Sequence, residues 1–562
     1  MRLLRLQLLK VAATAVICLG VFVSRLPAHE AQQEPSKIQT IRGQVLNRVT
    51  HEPVPRALVY SPDNRFATLT DGEGRFEFTV PDSQQTEPSQ NIPDSLFARK
   101  PGFLDDRLRP HFAGHVTPGK KVALWLTPEA LIVGRVLFPA GEISEPLIVQ
   151  IYRRIIREGR AHWQSANVVR TNSRGEFRFA KLDAGSYKLF THESLDRDPL
   201  TYDPRGQLYG YPPSFFPNAA DLGSAGVIQL SAGQTVQADI SPARRPYRRV
   251  KITVLNVPPG QGVEVQVSAN DDTEPSYELG YSSNEHTIQG LLPDGNYVVE
   301  ASSSGLNSAT GILTLAVRGG PAEDARLALV PNGGVLVNVK EDFTLNDQAS
   351  SRPFRTVPGS IGADGSKRHL GVSLESIEGF GRSFALRAST GNDKHDLSFE
   401  GVLPGRYWVR VDPFRGYVSS VRSGEIDLQE QPLVVGMGGS TSPVEITLRD
   451  DGAEIDGMIE NLPASGPGPS GPNPPAAFVY CLPLADSKGH YREIFVSPDG
   501  TFNSQQIPPG AYRLLAFDRS QGEIEYRDSE AMRAFDGKGQ VVNLVAGQKE
   551  RVRLSLISSG EE

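Results

Sequence analysis

Thr171–Phe190, TNSRGEFRFAKLDAGSYKLF, decides how the rest of the chain is read, because most of the sequence repeats it in looser form. Asn172 to Gly175 read as a polar turn. From Glu176 to Ala180 the residues alternate so that Phe177 and Phe179 share one face, the period of a strand with one buried side. Gly185 then offers a backbone reversal, and Tyr187 with Leu189 resume the inward alternation, so the stretch reads as one hairpin. Three further blocks match it: HTIQGLLPDGNYVVEA (His286–Ala301), LSFEGVLPGRYWVRV (Leu397–Val411) and SPDGTFNSQQIPPGAYRLLAF (Ser497–Phe517). Each carries a tyrosine two residues after a glycine, and Tyr187, Tyr297, Tyr407 and Tyr512 recur at intervals of 110, 110 and 105 residues. Such an interval means repeated domains. It names neither a ligand nor a reaction.

A chain of 562 residues holds three to five domains at ~100 to 200 residues each, and the tyrosine interval selects five. The expected division is a signal peptide at 1–30 and β-sandwiches at 38–128, 131–243, 248–332, 333–449 and 452–558. The 55 glycines and 43 prolines exceed ordinary usage and go into turns. With 38% hydrophobic residues, each unit can bury a modest core of its own. The net charge of −7 makes nucleic acid a poor partner. Cys18 and Cys481 are the two cysteines. Cys18 lies in the leader, so the mature chain has no internal disulfide and depends on packing.

Arg2, Arg5 and Lys10 precede a nearly unbroken apolar run, Val11 to Val23, and Leu26-Pro27-Ala28 supplies a small residue for cleavage, the pattern of an export signal. The run is shorter than the ~20 residues that span a bilayer as a helix. No later run is longer and as apolar, so the mature chain is expected to carry no membrane span and to be exported, to the periplasm, the cell surface or the medium.

Opening strands of one type, apolar-x-Gly-x-apolar, occur at Ile41-Gly43-Val45, Ile132-Gly134-Val136 and Ile455-Gly457-Ile459. AGQTVQADI (Ala232–Ile240) and AGQKERVRL (Ala546–Leu554) read as matching closing strands. The first unit departs from the pattern through a polar insertion, Asp82 to Asp94. Ser241 to Arg249, rich in proline and arginine, reads as a linker, and Gly359–Gly365 and Gly466–Pro475 as loops. Helical periodicity is absent. The fold class is therefore all-β: tandem Ig-like or prealbumin-like β-sandwich domains behind an N-terminal signal helix.

The series Ile41-Arg42-Gly43-Gln44-Val45, Pro53 to Val59 and Thr70-Asp71-Gly72-Glu73-Gly74-Arg75-Phe76 resembles carboxypeptidase regulatory-like domains. Gly175-Glu176-Phe177 with Gly185-Ser186-Tyr187, and Gly500-Thr501-Phe502 with Gly510-Ala511-Tyr512, extend the resemblance to units two and five. It implies a seven-stranded transthyretin-like sandwich, and the whole looks like exported multi-domain bacterial proteins built from such modules. The related starch-binding-like grouping implies a carbohydrate-binding role. The zinc peptidase these modules accompany is not here: its His-x-x-Glu pair would need a large α/β domain, which the sequence lacks.

Trp163, Tyr202, Tyr209, Tyr211, Phe215 and Phe216 form the candidate binding site, because rings on an exposed loop can stack on sugar faces. The competing reading is that Tyr209 to Phe216 fold down and cap the sandwich. The four repeat tyrosines read as core residues whose hydroxyls bond nearby backbone, and Trp125 and Trp408 as core. His111 and His115 lack a helix and a third ligand, and Asp196, Asp198 and Asp203 lack the spacing of a calcium loop. Cys481 in AAFVYCLPL reads as an inert core residue. No nucleophile elbow, phosphate loop or His-Glu-x-x-His is present. No cofactor or metal is expected. The function expected is that of a non-enzymatic, exported binding or scaffold element of the envelope, with carbohydrate binding through the unit-two loop as the alternative and a cryptic enzyme as the remotest. A polysaccharide or an envelope protein is the expected partner.

Overall fold

The computed structural model describes residues 39–557 except 81–92, 94, 106–113, 117–120, 139–145, 196–206, 220, 270–276, 304–307, 345–369, 378–382, 386, 389–396, 440, 463–476, 485–486, 488, 498, 519 and 523. The signal helix, the Gly359–Gly365 and Gly466–Pro475 loops, His111 and Asp196, Asp198 and Asp203 lie outside the described residues. What is described is a series of two-layer strand assemblies, as the alternation requires.

One pairing recurs five times. An opening strand is flanked antiparallel by a phenylalanine- or leucine-bearing strand and parallel by the strand that closes the unit. In the first unit Gln39–Asn47 lies between Arg75–Val80 and Lys121–Leu126. Ala130–Arg135 lies between Glu176–Leu182 and Thr235–Gln237 in the second. Arg245–Leu255, Gly333–Asp342 and Ala453–Glu460 repeat the arrangement in the remaining units. The glycine of the opening strand makes room for the partner's ring: a Cβ at Gly134 would lie 2.5 Å from Phe177 Cζ, and one at Gly457 2.1 Å from Phe502 Cζ. Each unit has its own buried cluster, such as Ile132, Phe179, Tyr187 and Leu189 in the second.

The stretch that reads as a hairpin is a corner. Glu176–Leu182 pairs with Ala130–Arg135, but Gly185–Thr191 pairs with Ile148–Arg157 in the opposite sheet. The same switch separates Thr287–Pro293 from Gly295–Ser303 and Leu397–Val402 from Gly405–Pro413. In the fifth unit Thr501–Ile507 pairs with Ala453–Glu460 and Gly510–Phe517 with Phe478–Pro483, and Lys549–Ile557 joins the two into one seven-stranded sheet. Alternation is preserved through the corner because both arms face one core. In units two, four and five a left-handed residue, Lys181, Gly401 or Gln506, turns the first arm out of its ladder six positions before the tyrosine. Each tyrosine then closes the corner. Its hydroxyl donates to the carbonyl four residues earlier: Tyr187 to Asp183 at 2.9 Å, Tyr297 to Pro293 at 2.8 Å, Tyr407 to Leu403 at 2.7 Å and Tyr512 to Pro508 at 2.7 Å.

Two expectations are corrected. Trp125 and Trp408 are half-buried and lie outside the core. Val122, Leu124 and Leu126 point inward, as does Tyr407, so their neighbours must point out. Nor is Ser241–Arg249 a linker throughout, because Arg245–Leu255 is a strand. It takes up Leu208–Tyr211 from the aromatic segment of unit two, in the register Leu208↔Tyr247, Tyr209↔Pro246 and Gly210↔Arg245. Proline is tolerated there because this end of the ladder is a margin.

Candidate functional site

Ile148–Arg157 and Arg160–Arg170 form the longest hairpin arm of unit two, joined by Glu158 and Gly159. Both turn residues have positive φ, 49° and 71°, the signature of the two-residue turn whose twist matches that of its strands. The tip reaches units four and five. Arg527 donates from its backbone N–H to the Gly159 carbonyl and from Nε to the Glu158 carbonyl, both at 3.1 Å. Tyr526 lies flat against Gly159, so close that a Cβ there would sit 2.7 Å from its ring.

The Glu158 carboxylate is the centre of this clasp. It accepts from Arg410 Nη2 at 3.2 Å and meets His490 Nδ1 at 3.4 Å. The His490 hydrogen bond, opposed by burial and helped by the charges of His490, Arg410 and Arg527, holds Glu158 below the usual carboxylate range. Arg410 also reaches Glu375 at 3.3 Å, and Glu375 lies 3.9 Å from Arg157. Arg154 and Glu525 add a further ion pair between units two and five at 2.5 Å.

Around the clasp opens a cleft of about 1480 Å³ lined by all three units. Arg160 lies over the Trp408 ring at 4.8 Å, and Tyr491 stacks on Tyr526 with centroids 6.3 Å apart. Arg492 donates to the Gln505 and Gln506 carbonyls at 2.8 and 2.6 Å. Burial lowers the pKa of Arg160, Arg492 and His162 from their ordinary values. Neither Arg160 nor Arg492 forms an ion pair with a carboxylate among the described residues, and the Glu158 charge acts on Arg160 from farther off. No group of three or more His, Cys, Asp or Glu among the described residues could hold a metal ion.

The six rings singled out in the sequence are not gathered on one exposed surface. Tyr211 and Phe215 are buried, Tyr211 edge-on to Phe138 at 4.9 Å and Phe215 stacked on Phe190 at 5.0 Å. Phe216 packs half-buried against the second core. Tyr209 is exposed beneath Arg244, whose guanidinium lies 4.4 Å from the ring centroid. Trp163 lines the cleft with Lys188 Nζ 4.9 Å from its ring, and Tyr202 lies outside the described residues. Cys481 is fully buried, which pushes its thiol up to about 12. Sequence reasoning misses Glu158, Arg160, Trp408, Arg410 and His490 as site residues. Two signals could have found some of them: Glu-Gly between long strands marks a protruding tip, and Trp408 follows an inward tyrosine.

No protein-family model matches the chain, and no curated protein matches it. Among solved structures, the Bacillus anthracis TIE protein is 10% identical, over 93% of this chain and 68% of that one, with a TM-score of 0.14. The pilus adhesin SpaC of Lactobacillus rhamnosus GG is 11% identical at a TM-score of 0.15, over 52% of this chain, which spans 43% of that protein. Two B repeats of the collagen binding protein of Staphylococcus aureus are 12% identical at a TM-score of 0.13, over 74% of this chain and all of that one, 100%. With TM-scores this low, none of the three bears on the fold or the role of this chain.

Proposed function

We propose that the chain is a non-enzymatic, exported binding and scaffold protein of the envelope or the extracellular space, and that its recognition surface is the cleft where units two, four and five meet. One observation carries this reading: the hairpin tip folds the chain back on itself around Glu158 and leaves a large, aromatic and charged cleft beside the clasp. Glu158 is held ionised by its neighbours, and Glu375 is paired with Arg410. Carboxylates fixed as anions serve as struts, whereas acid–base catalysts are tuned towards neutrality. Export is supported by the basic-then-apolar N-terminus. The segments 38–128, 131–243, 248–332, 333–449 and 452–558 serve as its folding units, and the separate buried clusters support that division. Kinship of units one, two and five with carboxypeptidase regulatory-like domains belongs to the same reading, supported by the glycine and phenylalanine pairs above.

Fractionation of cells and pull-down from envelope extracts, with the wild type and an Arg160→Glu/Trp408→Ala variant, tests this. Retention that depends on the cleft is expected. A freely diffusing protein with no retained partner, or one that turns over peptides, esters or glycosides, overturns it. Polysaccharide is the second reading, favoured by the half-exposed rings of Trp163 and Trp408 at the cleft. A glycan array bound equally by wild type and a Trp163→Ala/Trp408→Ala variant removes it.

A further inference from the structure

Every residue from Gly159 to Ser165 and from Trp408 to Phe414 lines the cleft. Consecutive lining, in place of every second residue, is what the edge of a strand presents, since alternate side chains leave by opposite faces but the edge shows all of the backbone. The ladders agree. Gly405–Pro413 pairs with Leu370–Ser376 along one side from Tyr407 to Pro413. Along its other side it pairs with Leu433–Val435 at Gly405 to Tyr407 alone. From Trp408 to Pro413 that second edge has no strand beside it among the described residues.

The phase of the ladder shows which backbone groups are free. Arg406 accepts from the Ile377 N–H on the paired side. Backbone groups alternate sides along a strand, so Trp408, Arg410 and Asp412 face the same way as Arg406. Val409 and Val411 therefore turn their N–H and C=O towards the cleft. Across the gap the facing strand Tyr417–Ser423 meets a neighbour of its own, Ile426–Asp427, at Arg422 and Ser423 alone. Between these two margins the core of unit four reaches the cleft through Val411, Val418, Val421 and Leu428. These four are already buried, and the apolar surface left at the cleft is that of half-buried Trp408 and Val409 and of Phe414, 36% exposed.

The chemistry of the walls selects what closes it. Five arginines and three carboxylates line the cleft of a protein whose net charge is −7. Arg160, Arg492 and Arg527 form no ion pair with a carboxylate among the described residues, though the Glu158 charge acts on Arg160 and Arg527, and burial disfavours leaving such cations uncompensated.

We propose that the cleft accepts an extended polypeptide segment of alternating apolar and acidic residues, which adds as a strand to the Trp408–Pro413 edge. Its main chain bonds Val409 and Val411, its apolar row packs on the remaining apolar surface of Trp408 and Phe414, and its carboxylates reach Arg160 and Arg492. This assignment rests on the cleft being the recognition surface and names the partner it takes.

The test uses the full chain and the capped heptapeptide Val-Glu-Val-Glu-Val-Glu-Val, with its lysine counterpart, a hepta-glutamate and a backbone N-methylated copy as controls. Titration calorimetry is expected to show the Val/Glu peptide binding about tenfold or more above each control. Amide exchange across Trp408–Pro413 is expected to slow on binding. Val409→Pro removes a donor from the free edge, where proline is tolerated, and is expected to weaken binding about tenfold. Arg160→Glu, on the opposite wall, leaves the Val409 and Val411 backbone groups in place and is expected to do the same and to reverse the preference towards the lysine peptide. Equal binding of the N-methylated copy, or protection elsewhere, overturns strand addition. So does failure of every peptide while envelope retention still depends on the cleft, and that outcome leaves the binding reading standing. A glycan bound in place of all peptides also overturns it. Loss of retention and peptide binding together removes both.

Discussion

Unit two meets its neighbours in two ways, and they are built on opposite principles. Towards unit three it shares a ladder: Leu208–Tyr211 joins the strand Arg245–Leu255, and Glu193 is half-buried at the joint, accepting from the Glu278 N–H at 3.3 Å. Towards units four and five it offers the Glu158 tip to cations. Burial at the joint outweighs the Glu278 N–H and the Tyr247 hydroxyl and pushes Glu193 up to about 7, while the clasp lowers Glu158. One carboxyl is neutral at mild acidity and the other is a fixed anion. Units two and three are thus joined by a shared ladder and burial, and unit two meets units four and five mainly through charge, with one backbone bond and one ring contact beside it.

The largest expected effect lies at the joint. Glu193 faces Glu278 and Tyr247, with Tyr277 and Tyr297 beyond. Its folded pKa of about 7 stands above the ordinary 4.5, so between those values the native state holds a proton the unfolded state has released. The stability it contributes is fully present below 4.5 and is lost as pH rises through 7. Urea unfolding followed in unit three is expected to lose about 3 kcal/mol across that window, and Glu193→Gln to flatten the slope. A slope unchanged by the variant would locate the effect elsewhere.

Next comes the clasp. Gly159→Ala places a side chain at positive φ and against Tyr526, at a cost of about 2 kcal/mol. Small-angle scattering is expected to show a more extended molecule, while amide exchange at Leu208–Tyr211 stays as it was. Tyr297→Phe in unit three and Tyr407→Phe in unit four are each expected to cost about 1 kcal/mol by urea titration. Equal losses would show the corner to be independent of either junction, and unequal ones would tie it to the clasp. Smallest is salt. At 1 M the clasp is expected to weaken by under about 1 kcal/mol, because Glu158 is part-exposed, and the joint not at all. Amide exchange at Gly159 and at Leu208–Tyr211 separates the two.

Alternation at Phe177, Phe179, Tyr187 and Leu189 made the all-β fold legible, and the recurring tyrosines made the repeat legible. What alternation leaves open is which sheet an arm joins, since both arms of a corner face the same core. The hairpin reading of Thr171–Phe190 fails on that point. Parity is readable at Trp125 and Trp408, and it places both rings outside the core. The clasp is not readable: Arg154 and Glu525 are 371 positions apart, and no local pattern marks either as the other's partner. The aromatic segment misleads because Tyr211 and Phe215 look the same in sequence whether they cap a core or face water.

The Glu158–Gly159 tip also decides how the molecule bears load. Units two to five form a loop closed by side chains and one backbone hydrogen bond, so tension applied between unit two and unit five is carried first by the tip and only afterwards by the intervening sandwiches. A few ion pairs and one ring contact yield before a strand ladder does. The clasp is thus a mechanical fuse, and parting it releases the stored length of units three and four with every core intact.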